Sequence, residues 1–383
     1  MLFTILVWVV FGVSLISAIL VFRGNRRVQI LKHIEAISPN ELPSLSVVMA
    51  ARNEEKKIEE SVRSLLSVDY PNFKIIAVND RSDDRTKVIL ESLKIEDSRL
   101  EVIHIKDLPK GWLGKNHALF KGARQSTGKY ILFTDADIIF EQDALKRALS
   151  FVVQEDLDHL AVIPELLGVR GMLAPMISYF TFCFAAHFQP WKMREPNSSK
   201  FAGIGAFNLV KKETYDRLGG HQKLMLRPDD DLMLGKLFKL SKTKQDILFG
   251  QDQVKVLWYE TFWEFFKGLE KNAFAGADYQ VTKLLALTVL TLLFHVFPFV
   301  YLFVCIDLHT WMVSFLSSGS LIFVNLDNNR FHRMPSWTAF VFPISAILML
   351  VTMYNATIKT LWNRGISWRG TFYSLNELKR NRL

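Results

Sequence analysis

At 383 residues the chain exceeds what one hydrophobic core of roughly 250 to 300 residues normally serves, so at least two structural parts are expected. Half of its residues are apolar and thirty are Phe, concentrated near residues 1–22, 166–190 and 283–360, which excludes a uniformly soluble fold. The formal charge of +9 would suit nucleic acid, but the basic residues are scattered without an aromatic-basic recognition motif, so anionic lipid is the expected partner instead.

Residues 1–22 are almost wholly apolar, lack a small-residue cleavage site and are followed by Arg23, Arg26, Arg27 and Lys32. This pattern reads as an uncleaved transmembrane anchor over residues 1–24, with the following domain on the cytoplasmic side by the positive-inside tendency. Residues 40–255 then read as an α/β domain. Leu45 to Ala51 is a short apolar run, after which Ile58, Val62, Leu65 and Leu66 recur at helical spacing; Arg52, Asn53 and Glu54 are read as the start of that helix. The unit repeats with Lys74 to Asn79, the polar block Asp80-Arg81-Ser82-Asp83-Asp84, and a helical stretch through Val88, Ile89 and Leu93. Leu100 to Ile105 is a third strand. A glycine-punctuated loop, Pro109 to Asn116, leads into a helix ending near Gln125, and the run Tyr130 to Thr134 ends in Asp135-Ala136-Asp137.

Strands alternating with helices in this way predict a mostly parallel, doubly wound sheet, whose ligands bind beyond the carboxyl ends of the strands. Asp80, Asp83, Lys115, Asp135 and Asp137 all fall at such ends and are expected to converge on one crevice. Two carboxylates one residue apart can share Mg2+ or Mn2+ and still leave positions for diphosphate oxygens, although acidic residues also end strands as solvated loop starters. Asp80 and Asp83 suit contact with a nucleobase or ribose; the alternative is a turn capping the helix that contains Thr86. Arg52, Asn53 and Glu54 are candidates to complete that pocket, and Lys115 to meet a phosphate; an exposed lysine near a helix start is the alternative for Lys115. The block Arg227-Pro228-Asp229-Asp230-Asp231 crowds three carboxylates, one of which is a candidate general base; a helix cap with two solvated neighbours is the alternative.

Beyond the domain, residues 256–280 mix Phe262, Trp263, Phe265 and Phe266 with Lys267, Glu270 and Lys271, as an amphipathic interfacial segment or as packing against the catalytic domain. Lys271 is a candidate for a diphosphate or acceptor contact. Leu166 to Phe188 reads as an interfacial or buried helix. Residues 281–362 hold three candidate membrane segments, Leu284–Ile306, Trp311–Leu326 and Trp337–Tyr354, the middle one short and broken by Ser-Ser-Gly-Ser at 317–320. Since the basic tail, 363–383, would otherwise lie outside the cell, one of the three is expected to be re-entrant or interfacial. Cys183 and Cys305 support neither a disulfide framework nor a zinc site.

The elements Arg52-Asn53-Glu54, Asn79-Asp80-Arg81-Ser82-Asp83, Asp135-Ala136-Asp137 and Asp230-Asp231 with Leu234 three residues on, in that order, resemble the family 2 glycosyltransferases of GT-A fold. More narrowly, Gly111-Trp112-Leu113-Gly114-Lys115-Asn116 and the ending Ile366 to Tyr373 resemble membrane-anchored hopene-associated and carotenoid-acid glycosyltransferases. The resemblance implies an inverting transfer of one sugar from a nucleotide donor, UDP-linked, to a lipid or isoprenoid acceptor. It places Asp80 and Asp83 toward the nucleotide, Asp135 and Asp137 on the metal, and Asp231 as base with Asp230 as runner-up. A processive polysaccharide synthase is the nearest rival, disfavoured because Gly268 to Asn272 departs from the Gln-x-x-Arg-Trp motif of such enzymes. A catalytically inactive membrane scaffold is the rival from another class.

Overall fold

The structure, a computed structural model, describes residues 2–304 and 307–380 and divides into two compact units. The larger unit comprises residues 28–167 and 190–258 with the last residues of the chain. Its strands in chain order are β1 (Gln29–Ile30), β2 (Leu45–Ala51), β3 (Phe73–Asp80), β4 (Leu100–Ile105), β5 (Tyr130–Asp135), β6 (Ile138–Phe140), β7 (His159–Ile163), β8 (Glu165–Leu166), β9 (Asn208–Lys211), β10 (Gln245–Phe249) and β11 (Val254–Val256). Eight of them form one sheet in the order β1-β10-β7-β9-β5-β2-β3-β4, parallel throughout except for β9, which runs antiparallel to both β5 and β7. The remaining three pair as a small sheet, β6-β11-β8.

Both faces of the large sheet are covered, which is why its strands are continuous apolar runs rather than alternating ones. The two-residue period sends Leu45, Val47 and Met49 of β2, with Ile75 and Ala77 of β3, into one core alongside Ile58, Val62 and Leu65. Val48, Ile76 and Val78 enter the other, with Ala118, Leu119 and Leu234. The helix expected after β2 begins at Ile58, not at Arg52. Arg52 to Lys57 form turns, because Asn53 adopts φ +54° and its side chain accepts from the Asp83 amide at 2.9 Å.

The second unit comprises residues 1–27, 168–189 and 259–375. Among the described residues, three helical stretches are long and apolar enough to cross a membrane: Leu2–Asn25, Val281–Val304 and Ser336–Trp362. The second contains a widened turn at Leu292–Val296, just ahead of Pro298, whose ring cannot sit against the carbonyl of an ordinary α-turn. The break expected at 317–320 is absent: helix Leu308–His332 runs straight through it. Ser317 donates to the Val313 carbonyl at 2.8 Å and Ser320 to that of Ser317 at 2.8 Å, so both hydroxyls are satisfied inside the helix.

This helix lies alongside Leu2–Asn25 in the same direction, with Trp8 near His309, Phe22 near Phe323, and Asn25 bonded to Asn328 at 3.0 Å. Arg26 closes the pair with two 2.7 Å bonds to buried Asp327. Leu173–Phe188 is a mostly buried helix, the second of its two expected forms, and it carries Cys183; Cys305 lies outside the described residues, as does Arg382 of the basic tail. Of the 256–280 segment, residues 259–280 fall in this second unit. Helix Phe262–Gly268, capped by Thr261, buries Phe265 against Tyr259 and leaves Trp263 64 % exposed.

Candidate active site

The carboxyl ends of β2, β3 and β5 bring most of the expected residues together in the larger unit. Asp135 is the last residue of β5, and Asp137 occupies the turn into β6. The amide of Asp135 donates to the Gly205 carbonyl at 3.1 Å, and the Thr134 hydroxyl to the Ala206 carbonyl at 2.8 Å. The segment before β9 is thereby laid across the end of β5.

Helix Asp230–Leu240 starts beside that segment, and the approach is backbone to backbone. A Cβ on Gly203 would stand 1.8 Å from the Asp231 carbonyl oxygen, and one on Gly235 1.9 Å from that of Ala202. At Gly205 a Cβ would meet two side chains instead: Asp135 Oδ2 at 2.7 Å and Asp231 Oδ2 at 3.3 Å. Carboxylates from the DAD motif and from the second acidic block therefore converge over one glycine.

The three consecutive carboxylates each have separate partners, which resolves their crowding. Arg227 holds Asp229 through two bonds of 2.8 and 2.6 Å. Asp230, 2 % exposed, faces the Lys115 ammonium at 3.5 Å and His221 at 3.9 Å. Asp231 accepts from the Gly205 amide at 2.7 Å and from the Leu232 amide at 2.8 Å. The reading of two solvated neighbours beside a cap is thus corrected. Asp230 is buried, and Asp229 and Asp231 are half-buried.

Lys115 is likewise no free surface lysine. Its ammonium lies 2.8 Å from Asp135 and 3.5 Å from Asp230. The loop before it is fixed by the Leu113 amide on the Met225 carbonyl at 2.8 Å and by Asn116, which donates to the carbonyls of Leu224 and Arg227. Gly114 is required there, since a Cβ would fall 2.2 Å from Asp80 Oδ2. Asp80, 3 % exposed, is gripped by Arg81 at 2.7 and 3.0 Å, with Arg52 at 3.9 Å.

Asp83 is exposed, and its neighbour Asp84 performs the capping, accepting from the Thr86 amide at 3.0 Å. Asn53 and Glu54 join the two loops: the Asn53 amide donates to Ser82 at 3.0 Å and the Glu54 amide to Thr86 at 2.8 Å. Lys271 belongs to the other unit, where its ammonium lies 4.9 Å over the Trp368 ring.

Electrostatics follow from burial. Burial and the nearby charge of Asp135 push the Asp137 carboxyl up to about 6, against the opposing pull of Lys57. Burial raises Asp230 and Asp231 as well, with Lys115 working the other way. For Lys115 burial opposes the charge, yet Asp135, Asp230 and Asp231 together carry its pKa above the ordinary lysine value.

Residues that sequence reasoning missed are Lys57, 3.6 Å from Asp137, and Gly203, Gly205 and Asn208, which fix the two acidic segments relative to each other. Asn208 donates to the Asp231 carbonyl at 3.1 Å and pairs with His159 at 2.5 Å. The closely spaced glycines at 203 and 205, just ahead of a short strand, were the available signal.

Residues 46–219 match the family described as glycosyl transferase family 2. A 4,4'-diaponeurosporenoate glycosyltransferase of Staphylococcus aureus (strain bovine RF122 / ET3-1) is 26% identical over 253 residues, covering 65% of this chain and 66% of that relative. The protein of the same name from Staphylococcus haemolyticus (strain JCSC1435) is 23% identical over 369 residues, covering 95% and 96% respectively. Among solved structures, the mannosyltransferase PcManGT from Pyrobaculum calidifontis, in complex with GDP-Man and Mn2+, superposes with a TM-score of 0.54 at 16% identity, over 94% of this chain and 99% of that one. Over residues 46–219 the chain is thus similar to glycosyl transferase family 2, on a GT-A-like fold shared with that mannosyltransferase.

Proposed function

We propose that this chain is a membrane-bound inverting glycosyltransferase that moves a single sugar from a nucleotide-sugar donor, UDP-linked in our reading, to a lipid or isoprenoid-type acceptor. The observation that carries the reading is the convergence of Asp135 and Asp231 over Gly205, with Lys115 beside them and Asp137 at the next turn. The carotenoid-acid relatives favour a polyene carboxylic acid as acceptor. The three apolar helices favour a cell-membrane location, and Arg23 in the last turn of the first, with Arg26 and Arg27 just beyond it, favours a cytoplasmic catalytic unit.

Inversion needs a base on the acceptor side of the anomeric carbon. Asp231 fits this role better than Asp230, because it is half-buried, is held by two backbone amides and has a raised pKa that suits proton acceptance. Asp230 is sealed behind Lys115 and serves to fix that ammonium. Lys115 suits the donor diphosphate, and Arg52 and Asp80 with the Asn53 to Asp83 loops suit the nucleoside.

The residues also fit a divalent cation. Asp135, Asp137, Asp230 and Asp231 outnumber Lys57 and Lys115, which leaves a surplus of negative charge for a cation to offset. Asp135 and Asp137 would hold Mg2+ or Mn2+. Among the described residues no third His, Cys, Asp or Glu stands close enough to complete a protein-only site, so diphosphate oxygens and water would supply the rest. When bound, such an ion neutralises the charge that develops on a leaving diphosphate.

Membrane vesicles containing the protein, supplied with radiolabelled UDP-sugars and a polyene acid, test the reading. Label should pass into organic solvent as a lipid glycoside, chelator should abolish the transfer, and Mn2+ or Mg2+ should restore it. Label retained in a long water-soluble glycan, or full transfer in chelator, would overturn the corresponding part.

A further inference from the structure

Lys57 is absorbed by none of the roles above. It sits at the last residue before helix Ile58–Leu66, and its ammonium is fixed by donation to the Leu257 carbonyl at 2.8 Å. The helix itself is tied to the turn that carries Asp137, since Ser61 donates to the Ile138 carbonyl at 2.8 Å. Lys57 and Asp137 are therefore held at a set separation of 3.6 Å, an ion pair outside hydrogen-bonding range. The contrast with Asp135 is informative. Asp135 has its lysine at 2.8 Å, a full charge-assisted bond, whereas Asp137 has a cation nearby that is occupied elsewhere.

We propose that Lys57 is a tethered cation that competes with the divalent ion for Asp137 and so sets how tightly the site retains metal. The inference rests on the metal-assisted reading of the site. A divalent ion arriving on Asp137 does so beside a positive charge that the Leu257 carbonyl holds in place. The two cations repel at this short range, and the repulsion is stronger in a half-buried site than in water. A weakened hold would let Asp135 and Asp137 release a divalent ion together with the nucleoside diphosphate, with the Lys57 ammonium, 3.6 Å away, left to offset the Asp137 charge.

The test is a Mn2+ titration followed by electron paramagnetic resonance, on the full chain in detergent at pH 8.5, with saturating UDP and separately with saturating GDP. Lys57→Met should retain Mn2+ about tenfold more tightly than wild type, the size expected for removing one nearby like charge from a partly hydrated site. Lys57→Arg, which keeps the charge, should not tighten it. A merely structural role through Leu257 would lower the melting temperature and leave Mn2+ affinity alone. Unchanged or weaker retention in Lys57→Met, with wild type binding normally, overturns the proposal by itself. Failure of wild type to retain Mn2+ with either nucleotide overturns the metal-assisted reading, and this inference falls with it.

Discussion

Gly203 and Gly205 are two residues apart, yet adding one methyl group to each should have opposite consequences. At Gly205 the added Cβ meets Asp135 Oδ2 at 2.7 Å and Asp231 Oδ2 at 3.3 Å, both ends of side chains, and the backbone there is outside the left-handed region. Ordinary contact begins near 3.4 Å, so the Asp135 carboxylate must retreat by roughly half an ångström or more, dragging on its 2.8 Å bond to Lys115. Folding tolerates this. The loss of unfolded-chain freedom even favours Ala by about 0.4–1 kcal/mol, offsetting part of the strain. Catalysis does not, because a misplacement approaching 1 Å costs about a hundredfold. Gly205→Ala should therefore lower kcat/KM about a hundredfold with a melting temperature close to wild type.

At Gly203 the Cβ would stand 1.8 Å from the Asp231 carbonyl oxygen, a backbone atom at the head of a packed helix. Gly203→Ala should force the two segments apart and cost several kcal/mol, on the order of 3 or more, as overpacking of a rigid contact does. Transfer of radiolabelled sugar and thermal unfolding in detergent, measured on both variants, check the pair. Wild-type kcat/KM in Gly205→Ala, or a wild-type melting temperature in Gly203→Ala, would refute the reasoning.

Two further outcomes are expected. Asp231→Asn should lose transfer while still binding nucleotide by equilibrium dialysis, and near-normal turnover would move the base elsewhere. His159, 1 % exposed, has its pKa lowered to about 4 by burial, so it stays neutral in the fold where the unfolded chain takes up a proton. Stability should then fall as pH drops from about 6.5 to about 4, by up to about 3 kcal/mol from this residue. His159→Gln should flatten that acid limb in denaturant titrations run between about pH 7.5 and about pH 4.5, and an unchanged slope would count against it.

The strands that build the sheet were legible because a parallel strand buried on both faces is a short continuous apolar run. Leu45–Ala51 and Leu100–Ile105 coincide with their expected bounds. The antiparallel β9 was not, since four residues, Asn208 to Lys211, offer no period to read. Arg52 to Glu54 looked like a helix start from their charges, but the backbone turn at Asn53 is set by Asp83 and Ser82, which are distant in sequence. The break expected at 317–320 was a misreading because serine and glycine suggest a loop, whereas inside a helix a hydroxyl can satisfy itself on the preceding turn. Asp135 and Asp231 were identifiable as chemical groups. Their meeting over Gly205 depends on chain paths that no local pattern encodes.

The parallel pairing of Leu2–Asn25 with Leu308–His332 bears on how the enzyme can be handled. Clipping off the first 27 residues would leave Asp327 without Arg26 and Asn328 without Asn25, stranding a buried carboxylate and a buried amide inside the second unit. The leading segment is therefore a wall of the bundle rather than a detachable leash.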